Sequence, residues 1–406
     1  MKYLPETFVD LHIHPHLKSY MFDRGINKRK FLSKVFKHSF WPFSHRSTLG
    51  ELGDYTDVAL ATTYVMEREW LEDVPLIKFL SKLAPGFRKK ILEPSYFDVT
   101  RKMIEHLEKQ VNSFSRVHPD IPDEIDEPIA MAKCPNDILK NISAAKASVI
   151  HSVEGAHSLI GDGGAEDHKQ IIFHLKCLGE MGCAYLTLAH FYPNPAVASC
   201  VFPYPESEKK MIKNYWKRAA QWETQEGLTK LGKELVEVML DIGMLIDITH
   251  LDLQGRRDVY DIVDANDAEC AVIASHVGAR GVHRIPYNLS DQELRWLADR
   301  GCCAGIIFMN YWLSPHNPKG SGLKYIEETV SHMINVAGED VVAIGSDLDG
   351  FTDPPDEIPT VKEFNLVARH LLEMGYSYET TEKFMGENAM RVLLNGWHNE
   401  ENSTRN

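Results

Sequence analysis

Short apolar runs alternate with amphipathic stretches along the chain, and from residue 148 onward the alternation is regular. The runs at 148–154, 184–190, 244–250, 271–276, 302–308 and 341–347 are rich in aliphatic and β-branched residues and read as buried strands. Helical spacing fills the gaps. Over 166–181, apolar residues recur at Ile171, Ile172, Leu175 and Leu178, with Gly182 as a stop signal. Thr229 caps a stripe of Leu231, Leu235, Val238 and Ile242 that Gly243 closes. Further helices are expected over 256–264, over 323–336, and from a Ser290/Glu293 capping box toward Arg300.

Two earlier runs, 8–14 and 57–64, bring the number of expected strands to eight. Strands alternating with helices imply parallel pairing through right-handed crossovers, and eight such units point to an α/β fold of the (β/α)8 TIM-barrel type. A doubly wound open sheet is the structural alternative, but no Gly-x-Gly-x-x-Gly follows a strand to support it. Two segments are longer than a crossover needs, about 15–56 and 67–147, and both leave from C-terminal strand ends, where lids over a site would sit. The basic residues Lys28, Arg29, Lys30, Lys34 and Lys37 read as the solvated face of an inserted helix, ahead of an anion-binding patch. Two amphipathic helices over 360–397 are expected to pack outside a single barrel domain, 1–397, with 398–406 as a frayed tail.

The polar residues fall in a pattern of their own. His12, His14, Glu154, His190, His250, His276 and Asp347 each lie at or beside the C-terminal end of an expected strand. In a (β/α)8 barrel these ends converge on the face where catalysis takes place. A lone histidine at a strand end is usually a hydrogen-bonded structural residue, and Glu154 or Asp347 taken singly could cap a loop or hold a turn. Repetition on so many strands is what argues for a site. Four histidines and a glutamate exceed what one tetrahedral zinc with an open position takes, and suit two divalent ions bridged by a carboxylate and a hydroxide. His12 and His14 would hold one ion and His250 and His276 the other, with Glu154 between. Asp347 is then free to accept a proton, and His190 to donate to an oxygen that becomes negative.

A net charge of -14 argues against a nucleic-acid partner. Seven cysteines without a Cys-x-x-Cys pair exclude a zinc ribbon and suit a reducing compartment. No charged-then-apolar N-terminal stretch reads as a signal peptide, and no run of about 18 apolar residues reads as a membrane span. The expectation is a cytoplasmic protein without a membrane partner.

The site residues also carry a resemblance. Val153-Glu-Gly-Ala-His-Ser158, Leu186-Thr-Leu-Ala-His190, Leu245-Ile-Asp-Ile-Thr-His250, Val272-Ile-Ala-Ser-His276 and Gly345-Ser-Asp-Leu-Asp-Gly350 resemble the motifs of the membrane (renal) dipeptidase family of the amidohydrolase superfamily. The likeness covers about 148–397 and the N-terminal strand. It implies a two-zinc barrel that hydrolyses dipeptides, with Glu154 as bridging ligand, His250 and His276 on the second metal, Asp347 handling the proton and His190 contacting the scissile group. A homodimer is implied by resemblance only.

Three positions depart from the family pattern. His14 stands where an aspartate is usual, leaving the metal pair about one charge more positive. Tyr287 opens Tyr287-Asn-Leu-Ser-Asp291 where the family has an arginine to clamp the dipeptide carboxylate, a bidentate role tyrosine cannot fill. Arg284 or Arg280 could substitute from nearby, although both read first as solvated surface arginines. Met309 stands where a tyrosine is usual. The reading is therefore a binuclear dipeptidase using zinc, or manganese, iron or cobalt. The alternatives are a hydrolase of another small amide, lactone or ester (a phosphoester further off), and a non-catalytic metal-binding sensor.

Overall fold

The computed structural model describes residues 5–23, 25–26, 45–83, 85–93, 95–117, 125–201, 219–314 and 322–398. Eight parallel strands close into a ring: Val9–Ile13, Val58–Tyr64, Ala147–Glu154, Cys183–Thr187, Leu245–Asp247, Val272–Val277, Cys303–Ile306 and Val342–Ile344. Closure rests on two seams. Val58–Tyr64 pairs with Ala147–Glu154 over seven residues, and Asp10 pairs with Ile344. A closed ring excludes the open doubly wound sheet. The fold is the expected (β/α)8 barrel.

The strands show why the barrel forms and where its chemistry sits. Alternate residues divide between two apolar sets. Ala59, Ile246, Val272, Ala304, Val342 and Ile344 pack under the surrounding helices. Val58, Leu60, Ile150, Leu245, Ile273 and Ala343 share a second cluster with Val392, Leu393 and Trp397 of the last helix. Two residues further along their strands, members of this second set give way to Thr62, Ser152, Asp247 and Ser275, all fully buried. Polarity thus rises along these four strands toward their C-terminal ends. Gly345 lets neighbouring strands close up there, since a Cβ would meet the Ser275 carbonyl oxygen at 1.7 Å.

Several strands stop earlier than their apolar runs. The run 184–190 ends as a strand at Thr187, 244–250 at Asp247 and 341–347 at Ile344. The backbone turns away into left-handed conformations at His250 (φ 66°) and Asp347 (φ 55°), which a strand cannot contain. Those two residues sit just above the barrel rather than within it.

The helices follow their signals. Ser290 and Glu293 form a reciprocal capping box on Asp291–Asp299, and Thr229 caps Lys230–Asp241. The tail is one helix, Phe364–Glu373, followed by a second, Tyr378–Gly396, that carries an i→i+5 turn at Lys383–Glu387. His398, placed in the frayed tail by its sequence, donates its N–H to the Gly243 carbonyl at 2.8 Å. The rest of that tail and the basic cluster from Lys28 to Lys37 lie outside the described residues. The 67–147 segment holds the helices Glu69–Asp73, Pro75–Leu83, Pro85–Ile91, Tyr96–Asn112 and Pro135–Ser143. It also holds a strand, Ile129–Ala132, that pairs with the first half of Ala147–Glu154.

Candidate metal centre

The ends of the first, third, fifth and sixth strands bring four imidazoles around one carboxylate. His12 Nε2 and His14 Nε2 stand 3.0 Å apart, and His250 Nε2 and His276 Nε2 stand 3.2 Å apart. Glu154 lies between the pairs. Its Oε1 is 3.1 Å from His250 and 3.4 Å from His276, while its Oε2 is 3.5 Å from His14. His12 departs from a clean division, lying 3.5 Å from Oε1. Asp347 Oδ1 reaches His14 Nε2 at 3.3 Å. All six side chains are buried.

The outward nitrogens show which lone pairs face the centre. His14 Nδ1 meets the Thr62 carbonyl oxygen at 2.9 Å, which can only accept, so Nδ1 carries the proton and Nε2 presents a lone pair. His12 Nδ1 meets the Tyr185 hydroxyl at 2.8 Å, and His276 Nδ1 the Ser275 hydroxyl at 2.8 Å. His250 Nδ1 has no hydrogen-bond partner among the described residues. Four imidazole nitrogens converging on a carboxylate, three of the rings held from behind through Nδ1, are the donor set a divalent ion requires. The residues fit such a group.

Electrostatics agree. Burial, then the neighbouring imidazoles, press His12 and His276 well below the ordinary histidine range. Burial lowers His14 as well, and His250 to about 4. Burial raises the Glu154 carboxyl to about 7 against the pull of His190 and His14, and raises Asp347 well above its ordinary value. Without a cation the centre disfavours every charge its own side chains could carry.

A third acidic candidate drops out on saturation. Asp247 lies near His12 and His276, but its carboxylate already accepts from the Thr187, Ser275 and Thr249 hydroxyls and from the Ser275 and Thr249 N–H groups. It braces strands.

The residues expected to meet substrate are placed unevenly. His190 lies beside the cluster, Nε2 3.7 Å from Glu154 Oε2. Tyr287 is buried against it, its ring centroid 5.2 Å from His250 and 3.7 Å from Trp312. Arg284 is exposed and makes no hydrogen bond or ion pair to these residues among those described. Met309 is buried at the start of Asn310–Leu313, the turn that carries Trp312.

Sequence reading missed Glu67, Tyr185 and the Lys18–Asp349 pair. Tyr185 was hidden inside an apolar run, and its hydroxyl also meets Thr62 Oγ1 and the Leu11 carbonyl. Glu67 opens the 67–147 insertion, where nothing local marks it. Asp349 accepts from Lys18 Nζ at 3.1 Å, from both Arg46 and Ser47 N–H groups, and from Ser47 Oγ, fastening the segment after the first strand to the loop after the last.

One family model, described as membrane dipeptidase (peptidase family M19), matches residues 60–405. The match begins after His12 and His14. An uncharacterized protein in the pqqA 5′ region of Klebsiella pneumoniae is 33% identical over 177 residues, 43% of this chain and 63% of that protein. Dipeptidase tcpJ of Claviceps purpurea is 28% identical over 265 residues, 65% of this chain and 54% of its own length. The chain thus spans less than two thirds of the curated relatives it matches. Among solved structures, a metallopeptidase from Rhodobacter sphaeroides liganded with a phosphinate mimic of L-Ala-D-Ala aligns with a TM-score of 0.68 at 18% identity, covering 97% of this chain and 100% of that one. The dipeptidase AC, described as a metallopeptidase of family M19, aligns at 0.66 and 18%, covering 96% and 98%. At that identity the likeness is one of fold.

Proposed function

Because the chain belongs to the membrane dipeptidase family, we propose that it is a metal-dependent hydrolase of small dipeptides, with His12, His14, Glu154, His250 and His276 holding two divalent ions. The observation that carries this is the convergence of four imidazole Nε2 atoms on the Glu154 carboxylate, each within 3.5 Å of one of its oxygens. Two divalent ions held there, zinc first among them, would make water nucleophilic at neutral pH and polarise the scissile carbonyl.

The chain's own groups do the rest. Asp347 takes up a proton and returns it to the leaving amine, a role open to a buried carboxylate standing beside the ligand cluster, 3.3 Å from His14 Nε2. Its main chain is tied to the first strand through its N–H to the His12 carbonyl at 2.8 Å. Gly350 makes room for its carboxylate, since a Cβ there would stand 1.9 Å from Asp347 Oδ1. His190 Nε2 contacts the scissile group from the side of Glu154. Among the described residues no helix is long and apolar enough to cross a membrane. The seven cysteines are all free, as suits a reducing compartment.

One observation favours a second reading. The Tyr287 hydroxyl is committed to the His276 carbonyl, and its ring to Trp312. It offers a substrate carboxylate neither charge nor a free donor, which suits a neutral amide, lactone or ester instead. The two readings separate on a dipeptide panel, each member also supplied as its C-terminal amide, with zinc-reconstituted protein and Asp347→Ala as the blank. Turnover of the free dipeptides is expected. Turnover of the amides alone would transfer the assignment to neutral substrates, and turnover of neither would reject both peptide readings.

A further inference from the structure

Glu67, three residues beyond the second strand, is a buried carboxylate whose every acceptor position is used. Its Oε1 accepts from His190 Nδ1 at 2.8 Å and from the Phe191 N–H at 3.2 Å. Its Oε2 accepts from the Tyr64 hydroxyl at 2.5 Å and from Trp70 Nε1 at 3.0 Å. Burial opposes its charge, but His190, His157 and these donors outweigh burial and hold the carboxyl well below its ordinary range. An ionised carboxylate can only accept, so the His190 nitrogen facing it carries a hydrogen.

The rest of the ring has little freedom. His190 lies between Phe191, stacked at 3.8 Å, and Tyr64 at 4.3 Å. A flip of the imidazole would set carbon against the carboxylate and turn Nε2 away from Glu154. Tyr64 and Trp70, which grip Glu67 from the other side, flank it in sequence, so the carboxylate itself is anchored.

We propose that Glu67 is a positioning residue that locks His190 with Nδ1 protonated and aims its Nε2 at the metal centre. The consequence is chemical as well as geometric. With Nδ1–H given to Glu67, a neutral His190 meets the site with a lone pair, and it donates from Nε2 only when the ring carries both protons. The part concerning turnover rests on the dipeptidase reading; the part concerning the ring does not.

The ring is tested first, on metal-free protein carrying ¹⁵N-labelled histidine. Long-range ¹H–¹⁵N correlations should show His190 in the Nδ1–H form, and Glu67→Gln should shift it toward a mixture of tautomers. An unchanged tautomer in Glu67→Gln overturns the proposal, whether or not any substrate is found. Turnover is tested by a double-mutant cycle on the zinc-loaded protein. Glu67→Gln and His190→Ala should each lower kcat by about a hundredfold, with metal content unchanged, and the double variant should fall within about threefold of the worse single. A purely structural Glu67 would instead cost the same factor in the His190→Ala background, which also overturns the proposal. Should Glu67→Gln fail to fold, Glu67→Asp keeps the carboxylate with a shorter reach. It is expected to retain the Nδ1–H form and an intermediate kcat, and a tautomer mixture there would count against the assignment.

Discussion

The Tyr287 hydroxyl donates to the main-chain carbonyl of His276 at 2.7 Å, which ties the residue expected to face a substrate carboxylate to the backbone of a proposed metal ligand. A side chain engaged in this way shapes a wall. Tyr287→Phe keeps the ring against Trp312 and loses one hydrogen bond, a cost of about 1 kcal/mol in denaturant unfolding. Discrimination between free dipeptides and their amides should stay unchanged. A marked change in that ratio would mean the hydroxyl leaves His276 to touch substrate.

Metal removal should be felt in stability as well as activity. An ion bound by the folded centre and poorly by the unfolded chain stabilises the fold. Chelation is therefore expected to lower Tm, and zinc to restore it. His276→Ala should lose at least one bound equivalent by elemental analysis. Full stoichiometry in that variant would remove His276 from the ligand set.

Asp347→Asn should separate binding from chemistry. Metal content is expected to stay near that of the unmutated protein, while kcat falls by about a hundredfold or more. Loss of metal together with activity would instead make Asp347 a ligand, a role its 3.3 Å approach to His14 Nε2 makes worth testing.

Tyr185 supports His12 from behind, its hydroxyl 2.8 Å from Nδ1. Removing such a partner typically weakens metal affinity about 10–100-fold. Tyr185→Phe should show this in competition with a chromophoric chelator, and an unaltered affinity would assign the hydroxyl to barrel packing alone.

The acid limb of stability should report on Asp349. Burial works to raise its carboxyl, but Lys18, His45 and the Ser47 and Arg46 hydrogen bonds together hold it at about 2, against an ordinary 3.8. A lowered native value means the contribution is complete above about pH 4 and is lost as pH falls toward about 2. Urea midpoints measured from pH 7 downward should fall across that window, and Asp349→Asn should flatten the fall. The same substitution leaves Lys18 buried and unpaired, a loss of about 3–5 kcal/mol at neutral pH.

Much of this architecture was legible along the chain because its signals are local. Apolar runs alternating with 3.6-period stripes mark strands and crossover helices, and the capping box at Ser290 and Glu293 marks a helix start three residues wide. His12, His14, Glu154, His250, His276 and Asp347 could be picked out for the same reason, since each follows or ends such a run. The (β/α)8 topology then brings all strand ends to one face. What stayed hidden was decided by register and backbone turns. Glu67 meets His190 across 123 residues, and Tyr185 meets His12 across 173. Such pairings depend on how far each strand slides against its neighbour around a closed ring, and no local period encodes that offset. The left-handed turns at His250 and Asp347, and the engagement of Tyr287 with the His276 carbonyl, likewise belong to the packed state: only the assembled barrel holds those backbones and that hydroxyl where they are.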